Sequence, residues 1–430
     1  MAILVPPTEL ETHIVFRLLP NELWDYSLGD AIRGLVVATS QRRSEAHSEI
    51  AIPELGSSLP VRSARAGIVA ALKALGLPPG TRIAAPLYCC PVVFKAIRAA
   101  GLKVRFIDVD PATYCLSPAD LATKSSEVEA VIAVHMFGNM CDMPILRAAA
   151  PGKPVIEDCA QALGSRLGGK IAGAFGEIAV FSFRSGKYLS AGEGGAVHCN
   201  EARLESRIAE FIRTYPIPSR VAECLHVGNT YLRTILRTQP LWGLAGARLW
   251  EAYSATMPYA SQSPLGLGRI YETDRATAMR RFKQLWSDIE RQRANAEYYS
   301  GALALEAGMI CSEPPGACFN RFQYPVLLPR PDWSERMATR LRDDGISTAR
   351  PYKEIAAIAA THYGYSGDCP QAERIAATVL VIPCHHGLRS ANTERVAECV
   401  NRAWRQLVGR RRVTLSREPQ AAAGAAYRTR

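Results

Sequence analysis

Between Pro154 and Asn200 the chain reads PVIEDCAQALGSRLGGKIAGAFGEIAVFSFRSGKYLSAGEGGAVHCN. Asp158 closes an apolar run containing Val155 and Ile156, and Gln161 follows three residues later. A second apolar run, Ile178 to Phe183, delivers Ser182 and, just beyond its end, Lys187. An acid and a lysine, each just past a buried strand, suit the chemistry of pyridoxal phosphate. The lysine forms a Schiff base with the aldehyde, and the acid keeps the pyridine nitrogen protonated so that the ring accepts electrons. Gly186, Gly192, Gly194 and Gly195 are expected to let the backbone come close to something bound. Taken singly these residues say little, since a lone lysine is usually a solvated surface group and a strand-end Asp usually caps a helix. The joint pattern carries the reading.

The elements around these residues must place them together. From about residue 61, short apolar runs alternate with helical periodicity. Strands are predicted at Arg82 to Ala85, Val104 to Val109, Val131 to Val134, Val155 to Ile156 and Ile178 to Phe183. Helices are predicted at Ala66 to Leu75 and Pro91 to Ala100. Such alternation predicts an α/β fold, a mostly parallel central sheet sandwiched by helices. Ligands of such sheets bind beyond the carboxyl ends of the strands, where Asp158, Ser182 and Lys187 fall. The C-terminal part differs, with a long charged helix over Arg275 to Leu303 and a strand at Tyr324 to Leu328. Helices are expected at Trp333 to Asp344, from Pro370 to Thr378 and from Thr393 to Leu407. This suits a smaller α+β domain. The expected division is a divergent N-terminal segment (1–60), a large cofactor-binding domain (61–201), an insertion of uncertain structure (202–268), a bridging helix with a small C-terminal domain (269–410), and a disordered tail (411–430).

The central segment closely resembles the DegT/StrS-type aminotransferases, the pyridoxal-phosphate-dependent sugar aminotransferases of fold type I in the aspartate aminotransferase superfamily. The shared pattern, EDxAQAxG, GxFGxxxxFSF, a short loop with the lysine and GEGG, stands here as EDCAQALG, GAFGEIAVFSF, RSGK and GEGG. The likeness extends to CPQAERIAATVLVIPCHHGL. The resemblance implies that Lys187 carries the cofactor and moves the proton, that Asp158 holds the pyridinium, that Gln161 lies against the ring or contacts its phenolic oxygen, and that Ser182 binds the phosphate. RSARAGIVAALKALG resembles the family's SGTAALxxALxALG, which sets Ser63, Ala64 and Arg65 at the phosphate-binding helix start. Arg65 stands in the place of the usual threonine, as a phosphate ligand or as a clamp on a substrate anion. In PLYCCPVV, Tyr88 or Cys90 is expected to cover the ring, and His135 of AVHMFGN to order the site wall. The family's cross-subunit Asn-Tyr-Arg-Met run has its counterpart at Leu267 to Ile270 without the asparagine; Asn229 is one candidate to replace it, and the source of that contact stays open.

Composition bounds the alternatives. The chain has 430 residues, 48% of them hydrophobic, and a net charge of +11, enough for a large core and a basic site mouth. No uninterrupted apolar run of membrane-spanning length, no secretory leader and twelve scattered cysteines give the expectation of a cytoplasmic protein with reduced thiols. Cys384-His385-His386 lacks partners at metal spacing, so no metal is expected. No nucleic-acid module is present. Arg233, Arg237 and Arg248 mixed with Trp242 and Trp250 suggest either a helical insertion packing on the body or on a dimer partner, or peripheral membrane contact through 230–260. By resemblance the partners are an amino-acid donor, L-glutamate first, a keto-sugar acceptor, most often nucleotide-linked, and a second subunit in a homodimer. A cyclitol or aminobenzoate precursor, a lipid-linked sugar, and a non-catalytic assembly role are the competing readings.

Overall fold

In the computed structural model, which describes residues 18–40, 49–247, 249 and 265–415, the five predicted apolar runs become five mutually parallel strands. The eight-stranded sheet runs β1-β2-β10-β9-β6-β5-β3-β4. Its members are β1 (Ile50–Ile52), β2 (Gly56–Val61), β3 (Arg82–Pro86), β4 (Lys103–Ile107), β5 (Ala130–Val134), β6 (Val155–Asp158), β9 (Ile178–Ser182) and β10 (Gly195–Cys199). The last strand reverses direction against β9 and carries the antiparallel edge β2 and β1. Every residue of β5 and β6 is buried, as expected of a sheet covered on both faces. A short hairpin, β7 (Arg166–Leu167) and β8 (Lys170–Ile171), pairs with β11 (Ala317–Cys318). A separate two-stranded sheet, β12 (Tyr324–Leu327) and β13 (Val379–Ile382), has its own apolar cluster around Tyr299, Met337, Leu341 and Val400.

Helix α1 (Leu28–Thr39) starts on a capping box of Ser27 and Asp30. Helix α2 (Ala64–Leu75) starts on Ser63, whose Oγ accepts the Ala66 N–H, and it ends at left-handed Gly76, as caps predict. Helices α3 (Val92–Ala99), α4 (Pro118–Lys124) and α5 (Met143–Ala149) follow β3, β4 and β5. In the stretch expected as an insertion, α6 (Ala202–Arg213) buries Leu204, Ile208 and Ile212 against α2, and α7 (Arg220–Leu236) packs on α1. Asp30 ties α1 to the body. Burial alone would raise its pKa, but hydrogen bonds from Ser27 and the charge of Arg281, 3.0 Å away, bring it down to about 2.

Two expectations change. The long C-terminal helix is two helices, Glu272–Arg281 and Leu285–Ala302, joined by a 3₁₀ turn where Phe282 turns in against Phe183. The tail expected to be disordered from 411 is helical to Leu415, because the last helix, Ser390–Leu415, meets no proline or glycine after Gly409. Residues 416–430 lie outside the described residues, as do 248 and 250–264 of the stretch considered for membrane contact. Among the described residues no helix is long and apolar enough to cross a membrane.

Candidate active site

Asp158 ends β6 and Ser182 ends β9, adjacent parallel strands in register Asp158↔Val180. Both therefore open at the same carboxyl edge of the sheet. The loop after β9 brings Lys187 back to that edge, where its N–H bonds the Arg184 carbonyl. Ser63, Ala64 and Arg65 reach the same place from the start of α2, because β2 lies beside β10 and hands the chain directly to the helix. One open-mouthed cavity is lined by all of these residues together with Gln161 and His135. Its empty space is about 800 Å³, within the range of cofactor pockets.

The electrostatics follow from burial. The Lys187 amine is pushed down from 10.5 to about 8, by burial first and then by the Arg184 guanidinium, against the opposing pull of Cys90, Asp158 and Glu22. Burial raises Asp158, while the Ala160 N–H, Lys187 and His135 lower it, and burial wins. Among the described residues the Asp158 carboxylate accepts one side-chain hydrogen bond, from the Ala160 N–H at 3.0 Å. A buried carboxylate with so few donors has room for a further one from the cavity. A protonated ring nitrogen is such a donor, so the residues present fit pyridoxal phosphate. The helix ladder of α2 begins at the Gly67 N–H and Ser63 takes that of Ala66, leaving the helix start as the place for an anion. The Arg65 pKa is lowered by burial and by the nearby charge of Arg184, and a bound phosphate would relieve both. Gln161 lines the cavity with its Oε1 already accepting the Phe137 N–H at 3.0 Å. His135 is wholly buried; its Nδ1 accepts the Cys141 N–H and its Nε2 donates to Glu157 at 3.0 Å. With both nitrogens engaged in the wall, neither is open to exchange a proton with the cavity. Glu157 in turn accepts the N–H groups of Gly173, Phe175 and Gly176.

Tyr88 does not line the cavity. Its ring is buried behind the wall, edge-on to Tyr352 at 5.7 Å, and its hydroxyl donates to the Pro351 carbonyl. Cys90 and Tyr352 hold the wall in its place. Tyr352, with φ +58°, was missed by the sequence reading, as were Arg184 and Phe322, whose ring lies 5.0 Å from the Lys187 amine. No local motif marks Tyr352, since it reaches the site from far down the chain.

The glycines leave room first for the protein's own neighbours. A Cβ on Gly192 would meet Asp274 and His226, on Gly186 Trp24, and on Gly194 Ile270. Gly194 also lines the cavity, as expected of a backbone that lets something bound come close. Gly195 is the tightest: a Cβ there would lie 2.4 Å from the Phe181 carbonyl and 2.9 Å from the Ala64 nitrogen. Gly195→Ala is therefore expected to push β10 away from the helix start and cost about 1–3 kcal/mol. Thermal melting with and without added pyridoxal phosphate checks this, and a variant as stable as wild type with full cofactor retention would refute it.

Comparison with known proteins agrees with this geometry. Residues 55–401 match the DegT/DnrJ/EryC1/StrS aminotransferase family. The chain belongs to this family. The UDP-N-acetyl-3-dehydro-alpha-D-glucosamine 3-aminotransferase of Acidithiobacillus ferrooxidans is 28% identical over 347 residues, 78% of this chain and 81% of that protein. The L-glutamine:2-deoxy-scyllo-inosose aminotransferase of Streptoalloteichus tenebrarius is 32% identical over 216 residues, 48% of this chain and 50% of its own length. The fold matches the sugar aminotransferase CalS13 of Micromonospora echinospora with a TM-score of 0.68 at 24% identity, covering 90% of this chain and 100% of that one. An aminotransferase from Psychrobacter cryohalolentis matches with 0.69 at 19% identity, covering 91% and 99%. The cavity thus lies within the matched part of an aminotransferase.

Proposed function

We propose that this aminotransferase uses pyridoxal phosphate held at Lys187 and Asp158 to move an amino group from an amino acid, with L-glutamate first in line, to a keto group on a nucleotide-linked sugar. The observation that carries the reading is the pairing, in one cavity, of a buried lysine whose pKa is depressed to about 8 with a buried carboxylate short of donors. The cofactor supplies an electron sink for the bond broken at the donor carbon. The chain supplies the rest. Lys187 takes the proton from that carbon and returns it on the ring side, which its depressed pKa permits near neutral pH. Asp158 holds the ring nitrogen protonated. Ser182 and the start of α2 at Ser63, Ala64 and Arg65 hold the phosphate, and Gln161 and the Cys90–Tyr352 wall bound the ring.

A sugar acceptor is supported by the relative that acts on a UDP-linked keto sugar; the scyllo-inosose enzyme favours a cyclitol acceptor as the second reading. A homodimer is the expected assembly. The exposed aliphatic rows Leu28, Ile32, Leu35 and Val36 on α1 and Val221, Leu225 and Leu232 on α7 are the kind of surface that association covers.

The test is optical. Protein purified with pyridoxal phosphate is expected to be yellow, and L-glutamate or L-glutamine is expected to discharge the colour with one equivalent of oxo acid released. A protein that stays colourless, or whose colour no amino acid discharges, overturns the reading.

A further inference from the structure

Helix α7, in the stretch expected as an insertion, points His226 into the body. Its Nε2 lies 3.0 and 2.9 Å from the two oxygens of Asp274, a carboxylate 1% exposed on the Glu272–Arg281 helix. The same carboxylate accepts the Glu193 N–H at 3.1 Å. The next residue, Gly194, donates its N–H to the Arg62 carbonyl at 2.9 Å, accepts the Phe183 N–H at 2.8 Å and bridges to Ser63. A continuous set of hydrogen bonds thus runs from His226 to the two places assigned to the phosphate, the end of β9 at Ser182 and the start of α2 at Ser63. We propose that the His226–Asp274 pair positions the phosphate end of the cofactor cavity. The inference rests on the pyridoxal phosphate reading above and adds two residues that act on that site without lining it.

The loop between the pair and the cavity has no slack. Glu193 and Gly194 line the cavity. Gly195 follows so closely packed that a Cβ there would lie 2.9 Å from the Ala64 nitrogen. On the opposite side a Cβ on Gly192 would lie 2.8 Å from Asp274 and 3.0 Å from His226. Close-packed interiors transmit displacement, so a shift at Glu193 is passed on to the helix start.

The carboxylate holds its place only while its donors do. A buried Asp274 that loses His226 keeps the Glu193 N–H alone, and a buried charge short of donors moves or draws in water. Burial works against a charge on His226, yet Asp274 and Glu193 raise its pKa in spite of Arg62. The ring therefore keeps a proton for the bond. It has a second connection to the cavity through its face. His226 stacks on Tyr271 at 4.2 Å and 13° from parallel, and the Arg62 guanidinium lies 3.7 Å from the centre of that same ring. Arg62, whose Nε donates to the Arg269 carbonyl, is part of the cavity lining. One imidazole thus steadies the loop by its bond and Arg62 by its stack. A pair that merely supports the fold would affect every ligand of the cavity alike, whereas a pair that sets the phosphate end affects those that carry a phosphate.

Absorbance titration of the cofactor-free protein with pyridoxal 5′-phosphate and, separately, with pyridoxal tests this, since both colour on reaction with Lys187 and only one bears a phosphate. His226→Ala and His226→Phe, the latter keeping a ring on Tyr271, are each expected to weaken pyridoxal 5′-phosphate about tenfold and to leave pyridoxal within about twofold. His226→Gln, whose amide still donates to Asp274, is expected to bring pyridoxal 5′-phosphate back to within about threefold of wild type. Melting of the cofactor-free variants reports their folding. The inference falls if Ala and Phe variants bind pyridoxal 5′-phosphate as wild type does, if pyridoxal weakens by the same factor, or if His226→Gln is no better than His226→Ala. A wild type that never colours with pyridoxal 5′-phosphate removes the cofactor reading itself, a failure told apart by that control.

Discussion

Lys187→Ala is expected to lower turnover by at least about 10⁴-fold, the upper range for loss of a positioned proton carrier compounded by loss of the covalent anchor. Lys187→Arg should fail as completely, because a guanidinium keeps its proton. In wild type the donor half-reaction needs the neutral amine. Since the folded pKa lies near 8, below the ordinary 10.5, the rate should rise as pH climbs through about 8 and level off above it. Arg184 is the largest charge depressing that value, so Arg184→Gln should move the rise to higher pH. Single-turnover loss of colour with L-glutamate across pH measures all of this. A Lys187→Ala enzyme that still turns over, or a profile that falls through pH 8, would contradict the assignment.

Asp158→Asn is expected to cost on the order of 10²–10³ in turnover, the scale of one preorganised electrostatic contact in a dry site. The carboxylate is buried at the end of a rigid strand, so the amide should fit its space. What is lost is the negative charge facing the ring nitrogen. The variant should therefore keep its fold and melting temperature, bind cofactor more weakly, and react slowly with L-glutamate. Unaltered turnover would remove Asp158 from the mechanism. Glu157, one residue earlier, provides the contrast: it points to the other side of β6, is lowered below the ordinary range by His135 and three backbone N–H groups despite its burial, and serves the fold.

The parallel strands and the acid–lysine pair are readable in the sequence because both rest on local signals. A fully buried strand is a run of apolar residues, and a residue that ends it is placed by the strand itself. Asp158 and Ser182 fall into this class, Gln161 and Lys187 follow a few residues past the same strand ends, and Ala64 and Arg65 are placed by the cap that starts α2. Tyr88 misleads because an aromatic in a matching motif position says nothing about which way its ring turns; the ring is drawn into the packing of Phe137 and Tyr352. Tyr352, Phe322 and Arg184 stay hidden for another reason. Apart from Arg184, each is brought to the site by a contact between stretches far apart in the chain, and no spacing encodes that. The glycines show the same limit, since their need for close approach is visible but the identity of the neighbour is not.

The wiring of the N-terminal segment has a consequence for the order of events at the ribosome. The central sheet is complete once Cys199 has been made, and every lining residue of the cofactor cavity except Tyr352 lies between Arg62 and Gly194. Leu19 through Trp24 are made before any of these, yet they rest on partners that come late: Leu19 bridges to Ile346, and Pro20 meets His385. Early domains fold as they emerge, so the nascent chain holds most of a cofactor pocket while its oldest described residues still wait for their seats. The walls of the cavity are in this sense assembled before the N-terminal stretch has anywhere to rest.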